Sequence, residues 1–323
     1  MVISPVARDA SARGLALCSA LVALFVASGS VHAHGFAGKR FFPATLVTDD
    51  PFVADELSLP TVSQQRFSAS GDEPASKETA LSVDWTKRLT ENFGVGFGVS
   101  YLQVEPEGGE RVRGFDNLAA SLKYQFYKDE PHEAILSAGL DVDIGGSGAK
   151  RVGAESFSTF TPGLFFGKGF GDLPENLQYL RPFAITGQLG ISIPSRSSST
   201  TFDDEGEPSV ERHPNFLQWG FAFQYSLIYL QSFVKDVGLK EPFNRMIAVV
   251  EVPLTTGLNR GASGTTGTIN PGLIWSGRYA QLALEAQIPI NNRSGRGVGW
   301  IAQLHFYLDD MFPKSLGRPL FGQ

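Results

Sequence analysis

Apolar and polar residues alternate with period two over successive stretches of about ten residues, and no other feature constrains this chain as tightly. Leu81, Val83 and Trp85 alternate with Ser82, Asp84 and Thr86. Phe93, Val95, Phe97, Val99 and Tyr101 alternate with Gly94, Gly96, Gly98 and Ser100. The same pattern runs through 118–126, 136–142, 183–191, 217–227, 282–290 and 298–308, with weaker segments near 55–67, 156–167, 246–254 and 268–276. Period two is the signature of strands with one apolar face.

These segments make roughly twelve strands of about ten residues, the length a tilted strand needs to cross hydrocarbon. Strands of soluble sheets average about five or six. Aromatic residues sit near strand ends on the apolar parity: Trp85, Phe93, Tyr101, Tyr124 and Phe126 in the first half, and Trp219, Trp275, Tyr279, Trp300 and Phe306 in the second. In a membrane barrel such rings form girdles at the headgroup level. A sandwich core would also collect aromatics, but it does not account for strands that keep rings on one face and Gly, Ser and Gln on the other. The predicted fold class is all-β: a transmembrane antiparallel β-barrel of about twelve strands behind an N-terminal signal peptide.

The leader is read from its own pattern. Arg8 and Arg13 precede the apolar run 15–26, and Val31-His32-Ala33 supplies tolerated residues at the cleavage positions. The run is short for a bilayer span, so the sequence predicts a signal peptide over 1–33, cleaved after Ala33. Cys18 is preceded by Leu17 and followed by the apolar run, the reverse of a lipoprotein signal. It is the only cysteine among 323 residues, which excludes a disulfide scaffold. With 27 Lys+Arg against 33 Asp+Glu, the chain lacks the basic footprint of a nucleic-acid binder.

The connections divide the body. Compact ones lie near 87–92, 128–132 and 276–278, and intermediate ones near 168–180 and 231–244. Polar, Gly- or Ser-rich ones lie near 68–78, 105–113, 145–155, 194–214, 255–267 and 291–297. Short periplasmic turns and longer external loops give this asymmetry, and an even strand number puts both termini in the periplasm. The expected organisation is a signal peptide (1–33), an N-terminal segment lying in the periplasm or plugging the lumen (34–54), the barrel (55–309) and a periplasmic tail (310–323).

Four stretches, HGFAGKRFFPATL at 34–46, GKGFGDLP at 167–174, YLRPFAITG at 179–187 and HFYLDDMFPKSLGRPLF at 305–321, give the chain a resemblance to bacterial outer-membrane transporter barrels found with aromatic-degradation pathways, the meta-pathway of phenol degradation type. The resemblance is one of overall pattern across most of the chain after the leader. It implies a barrel in the outer membrane of a Gram-negative bacterium and passage of small, hydrophobic or aromatic solutes. Its implied partners are outer-membrane lipids, the barrel assembly machinery and an unidentified small molecule, with no nucleic acid and no cofactor. Such barrels often end on an aromatic used in assembly, whereas here about fifteen residues follow the last alternating strand.

Catalytic motifs mostly fail. No His is followed two residues later by Ser, as in twelve-stranded outer-membrane phospholipases, and there is no Gly-x-Ser-x-Gly elbow. Ser232-Phe-Val-Lys235 lacks the companions of a Ser–Lys enzyme. The sequence predicts no enzyme. It also predicts no metal centre, since His34, His132, His213 and His305 stand at unrelated positions, and Asp203, Asp204, Glu205 and Glu207 read as a solvated loop.

The face opposite the lipid parity carries Asp84, Lys123, Asp141, Asp143, Gln218 and Gln224, then Glu251, Glu285, Gln287, Gln303 and His305. These are the candidate pore-lining residues. Acids outnumber bases five to one, counting His305 as neutral, so an open lumen would prefer cations mildly. Alternatively these groups pair with Arg residues from loops or from the N-terminal segment and fill the interior. The expected function is passage of small solutes. The alternatives are a closed structural or assembly barrel and, further off, an outer-membrane hydrolase.

Overall fold

A computed structural model describes residues 35–69, 74–202 and 207–321. The expected signal peptide, His34 and Asp203, Asp204 and Glu205 lie outside the described residues. A short hairpin, β1 (Phe36–Ala37) and β2 (Arg40–Phe41), comes first. Then follow β3 (Glu56–Phe67), β4 (Ser76–Arg88), β5 (Phe93–Pro106), the short β6 (Val112–Phe115), β7 (Leu118–Asp129), β8 (Ala134–Ile144), β9 (Thr159–Gly169) and β10 (Phe183–Pro194). A loop hairpin, β11 (Ser198–Phe202) and β12 (Pro208–Arg212), precedes β13 (Phe216–Ser226), β14 (Met246–Gly257), β15 (Thr265–Ser276), β16 (Ala280–Pro289) and β17 (Gly299–Tyr307).

Twelve of these strands, β3–β5, β7–β10 and β13–β17, pair antiparallel with their neighbours, and β17 pairs with β3 to close the ring. Their lengths run from 9 residues in β17 to 14 in β5. Closure leaves no barrel edge open, the condition for strands to stand in lipid. The seam carries one irregularity: both ladders of β3 skip across Leu59-Pro60. Proline cannot donate to a ladder, so it sits where the pairing is interrupted.

The alternation sorts two surfaces. Leu273 and Leu284 are 53% and 58% exposed on the outer wall, while Asn270 and Glu285 on the same strands are buried inside. Rings of large exposed apolar side chains around a closed barrel are a lipid-facing belt, and the chain is an outer-membrane barrel by this architecture. Trp85, Phe93, Tyr124, Phe126, Trp275, Tyr279 and Phe306 stand toward one rim, and Tyr101, Trp219 and Trp300 toward the other. Trp85 stacks on Phe97 with centroids 6.0 Å apart. Leu284→Arg, at mid-strand on this belt, should cost about 2–4 kcal/mol of folding free energy, measured by urea unfolding in lipid vesicles.

The first rim holds the turns 89–92, 130–133 and 277–279 together with both chain ends of the barrel; in outer-membrane barrels the rim with the shorter turns is the periplasmic one. Its two longer connections, 170–182 and 227–245, each fold into short helical turns, Glu175–Leu180 and Leu227–Val234. After β17 a helical turn, Leu308–Met311, leads the tail back beneath β4. There the buried Asp55 accepts from Lys87 and Arg88, both at 2.8 Å. Lys87 also donates to the carbonyls of Leu316 and Arg318, and Arg88 stands 3.4 Å from Asp309.

The inner face departs from the sequence expectation in its periplasmic part. Gly, Ser and Gln were expected there, but Ile247, Val249, Ile274, Ala283 and Tyr307 form a buried apolar cluster with Ala222 and Phe41. The reason is that residues 35–55 lie inside the barrel and present their own apolar side chains to the wall.

Candidate functional site: the lumen

The segment 35–55 enters from the periplasmic rim, reaches mid-height near residues 46–49 and returns to the start of β3. It carries no alternation because its partners are wall side chains rather than a neighbouring strand. At its base Arg40 is 1% exposed. Arg40 donates to Glu133 (3.2 Å) and to the carbonyls of Pro182 (3.0 Å) and Arg181, with its guanidinium 3.9 Å over the Tyr229 ring. The Tyr229 hydroxyl donates to Glu133 at 2.9 Å. Burial, then the Glu133 carboxylate, pushes this phenol up to about 12, so it remains a neutral donor.

At its apex the segment wraps a carboxylate. The backbone amides of Leu46, Val47 and Thr48 donate to Glu251 at 2.6, 3.0 and 2.6 Å. Successive amides turned to one anion make a nest, here filled by the barrel wall. Asp49 donates its amide to Gln188 (2.6 Å), and Gln281 donates to the Ala44 carbonyl (2.7 Å). Lys123 donates to the Asp49 carboxylate (2.8 Å) and the Asp50 carbonyl (2.7 Å), with its ammonium 4.6 Å from the Phe165 ring centre.

Between this segment and the wall of β3–β5, β7, β8 and β17 lies a cavity of about 360 Å³. The strands leave it room because their inward residues are small: Gly96 and Gly98 on β5, Ala119 and Ser121 on β7. A Cβ on Gly98 would come 2.6 Å from the Asp84 carboxylate. Six carboxyl groups line the cavity: Asp49, Asp50, Glu56, Asp84, Asp141 and Asp143. A smaller cavity of about 90 Å³ shares Asp49, Asp50, Glu56, Thr86 and Ser121 with it and reaches Lys123. A third, of about 370 Å³, lies above the apex and is lined by Gln188, Gln218, Thr255 and Arg293 among others.

The candidate pore residues therefore fall into groups. Asp84, Asp141, Asp143, Gln303 and His305 meet at the acidic cavity, Lys123 at the small one, and Gln218 at the upper one. Glu251, Glu285 and Gln287 are buried together in the opposite wall, and Gln224 is buried low on β13. Sequence reasoning missed Asp50, Glu56 and Ser58 as cavity residues, and Arg40, Glu133 and Tyr229 as the tether of the inner segment. Nothing local marks the tether, whose members lie 93 and 96 residues apart in sequence.

The fold also brings Ser58 to His305, Oγ to Nδ1 at 2.9 Å, with Glu56 3.6 Å from the other ring nitrogen. These residues are cross-strand neighbours at the seam. The serine and imidazole are both buried, the carboxylate stands just beyond hydrogen-bond distance of the ring, and all three side chains line the acidic cavity.

No protein-family model matches the sequence, and no curated protein matches it. Solved structures do. The COG4313 outer membrane channel from Pseudomonas putida F1 aligns over 83% of this chain and 98% of its own, at 11% identity and a TM-score of 0.55. The NanC porin aligns over 77% and 98%, at 10% identity and a TM-score of 0.43. The beta domain of the Bordetella autotransporter Brka aligns over 79% and 99%, at 12% identity and a TM-score of 0.45. At these identities the first likeness speaks for the barrel fold alone.

Proposed function

We propose that the protein is an outer-membrane channel for small solutes, narrowed by its own N-terminal segment and mildly selective for cations. The observation that carries this is the acidic cavity beside residues 35–55. Six carboxyl groups face it, while Lys123 is engaged by Asp49 and Asp50. Rings of Asp and Glu attract cations. The likeness to a solved outer membrane channel is consistent with passage.

The solute's apolar character rests on the resemblance to aromatic-degradation transporter barrels. One observation favours it: a cavity of about 270 Å³ at the periplasmic rim, lined by Phe36, Phe41, Ile228, Tyr229 and Phe233 together with Lys39, Arg245 and three serines. The rival reading, a closed structural barrel, is favoured by the apolar packing of Phe41 against Ile247, Val249 and Ile274. Assembly machinery and membrane lipids are the proposed partners.

Current across a planar bilayer under a salt gradient separates the readings. Discrete steps with a cation-favouring reversal potential support the channel, and Asp84→Asn with Asp141→Asn should move that potential toward zero. Anion preference would refute the acidic path. Absence of steps from verified folded protein would favour the closed barrel, provided that deleting 35–54 does not create them.

A further inference from the structure

Opposite the acidic cavity, the wall of β14–β16 holds a group of oxygen atoms whose bonding is incomplete. Glu251 on β14 lies opposite Asn270 on β15. The β15–β16 register then brings Gln287 beside Asn270, and Glu285 beside Gly272, one inward row lower. All four side chains face the lumen and are 4% exposed or less. A Cβ on Gly272 would collide with Glu285, so the glycine makes the room that this carboxylate occupies.

Glu251 is satisfied at both carboxylate oxygens by the three amides of residues 46–48. The others are not. Both carboxyl oxygens of Glu285, both amide atoms of Asn270 and Oε1 of Gln287 complete no hydrogen bond of normal geometry. Glu285 has Glu251 and Asn270 within side-chain hydrogen-bonding reach, though not in normal hydrogen-bond geometry, and no cationic side chain is among the groups that act on it. Two buried carboxylates without a cation are electrostatically costly, and so are orphaned acceptors.

A shared proton would solve only part of this. It would place one O–H···O bond between Glu285 and Glu251 and leave the Asn270 and Gln287 oxygens unbonded. A cation could serve all four. Oxygen-only ligands and a formal charge of −2 suit a hard divalent ion, and mixed carboxylate and amide oxygens from three strands suit the loose geometry of calcium better than the strict octahedron of magnesium. We propose that Glu251, Asn270, Glu285 and Gln287 form a calcium site in the barrel wall. Because Glu251 also holds the apex of the inner segment, the ion and that segment share one ligand. The site stands whether or not the barrel conducts.

The test uses the folded full-length barrel in detergent, stripped with EDTA and titrated calorimetrically with calcium chloride near neutral pH. One calcium should bind per chain, more tightly than magnesium, and should raise the midpoint of thermal unfolding. Glu285→Gln should weaken binding at least ten-fold, and Asp84→Asn, in the other cavity, should not. If Glu285→Gln fails to give heat-modifiable folded protein, Asn270→Leu replaces it with the same expectation. Absence of calcium binding at millimolar concentration by folded wild-type protein overturns the proposal in favour of a shared proton. Binding that persists unchanged in the folded variant, or that disappears with Asp84→Asn, overturns it as well.

Discussion

Arg40→Ala should destabilise the folded protein by about 3–5 kcal/mol, the usual cost of removing one partner from a buried ion pair. The guanidinium is 1% exposed and meets Glu133, two backbone carbonyls and the Tyr229 ring at one point. Its loss leaves the Glu133 carboxylate buried with only the Tyr229 hydroxyl and the Gly171 amide as donors. Urea unfolding in vesicles gives the magnitude, and single-channel current reports whether the inner segment has left the lumen. The sign of the cause is tested by Arg40→Met with Glu133→Leu. That double variant removes both charges and should recover most of the stability, whereas loss of packing alone would leave it as weak as the single variant.

Glu251→Leu should have an effect of similar size, and it acts at the other end of the same segment. Three amides that now donate to a carboxylate would face an apolar side chain. Hydrogen bonds to charged groups contribute about 1.5–3 kcal/mol each, so the apex at 46–48 should detach from the wall. The expected readout is a larger or more frequently open conductance than wild type. Glu251→Gln keeps one acceptor oxygen and should fall between the two. Equal conductance in all three proteins would mean that the apex does not limit the current.

The barrel was legible because lipid on one side and lumen on the other impose period two. The stretch 93–101 alternates cleanly and became β5, whose inward glycines face the cavity. The stretch 246–254 alternates poorly and became β14, because Ile247 and Val249 are apolar on the inner face as well as Ala248 and Val250 on the outer. They are apolar to receive Phe41 from a segment about 200 residues earlier, and no local pattern announces that contact. For the same reason the inner parity identified Glu251 but not the amides of residues 46–48 that donate to it. The Asp49–Asp50 pair could be seen in sequence, while its placement beside Asp84 and Asp141 needed the fold.

The seam between β3 and β17 implies an order of events during biogenesis. Every other wall pairing joins neighbours in the chain, apart from short intervening hairpins, and can form by local zippering. The β17–β3 pairing closes a loop of some 240 residues and carries the largest closure entropy. Until it forms, both strands are open edges, able to pair with another copy. The polar knot of Asp55, Lys87, Arg88 and Asp309 ties the two ends of the sheet at this point. In the closed barrel it holds those ends together, and the inner segment leads into β3 directly beside it.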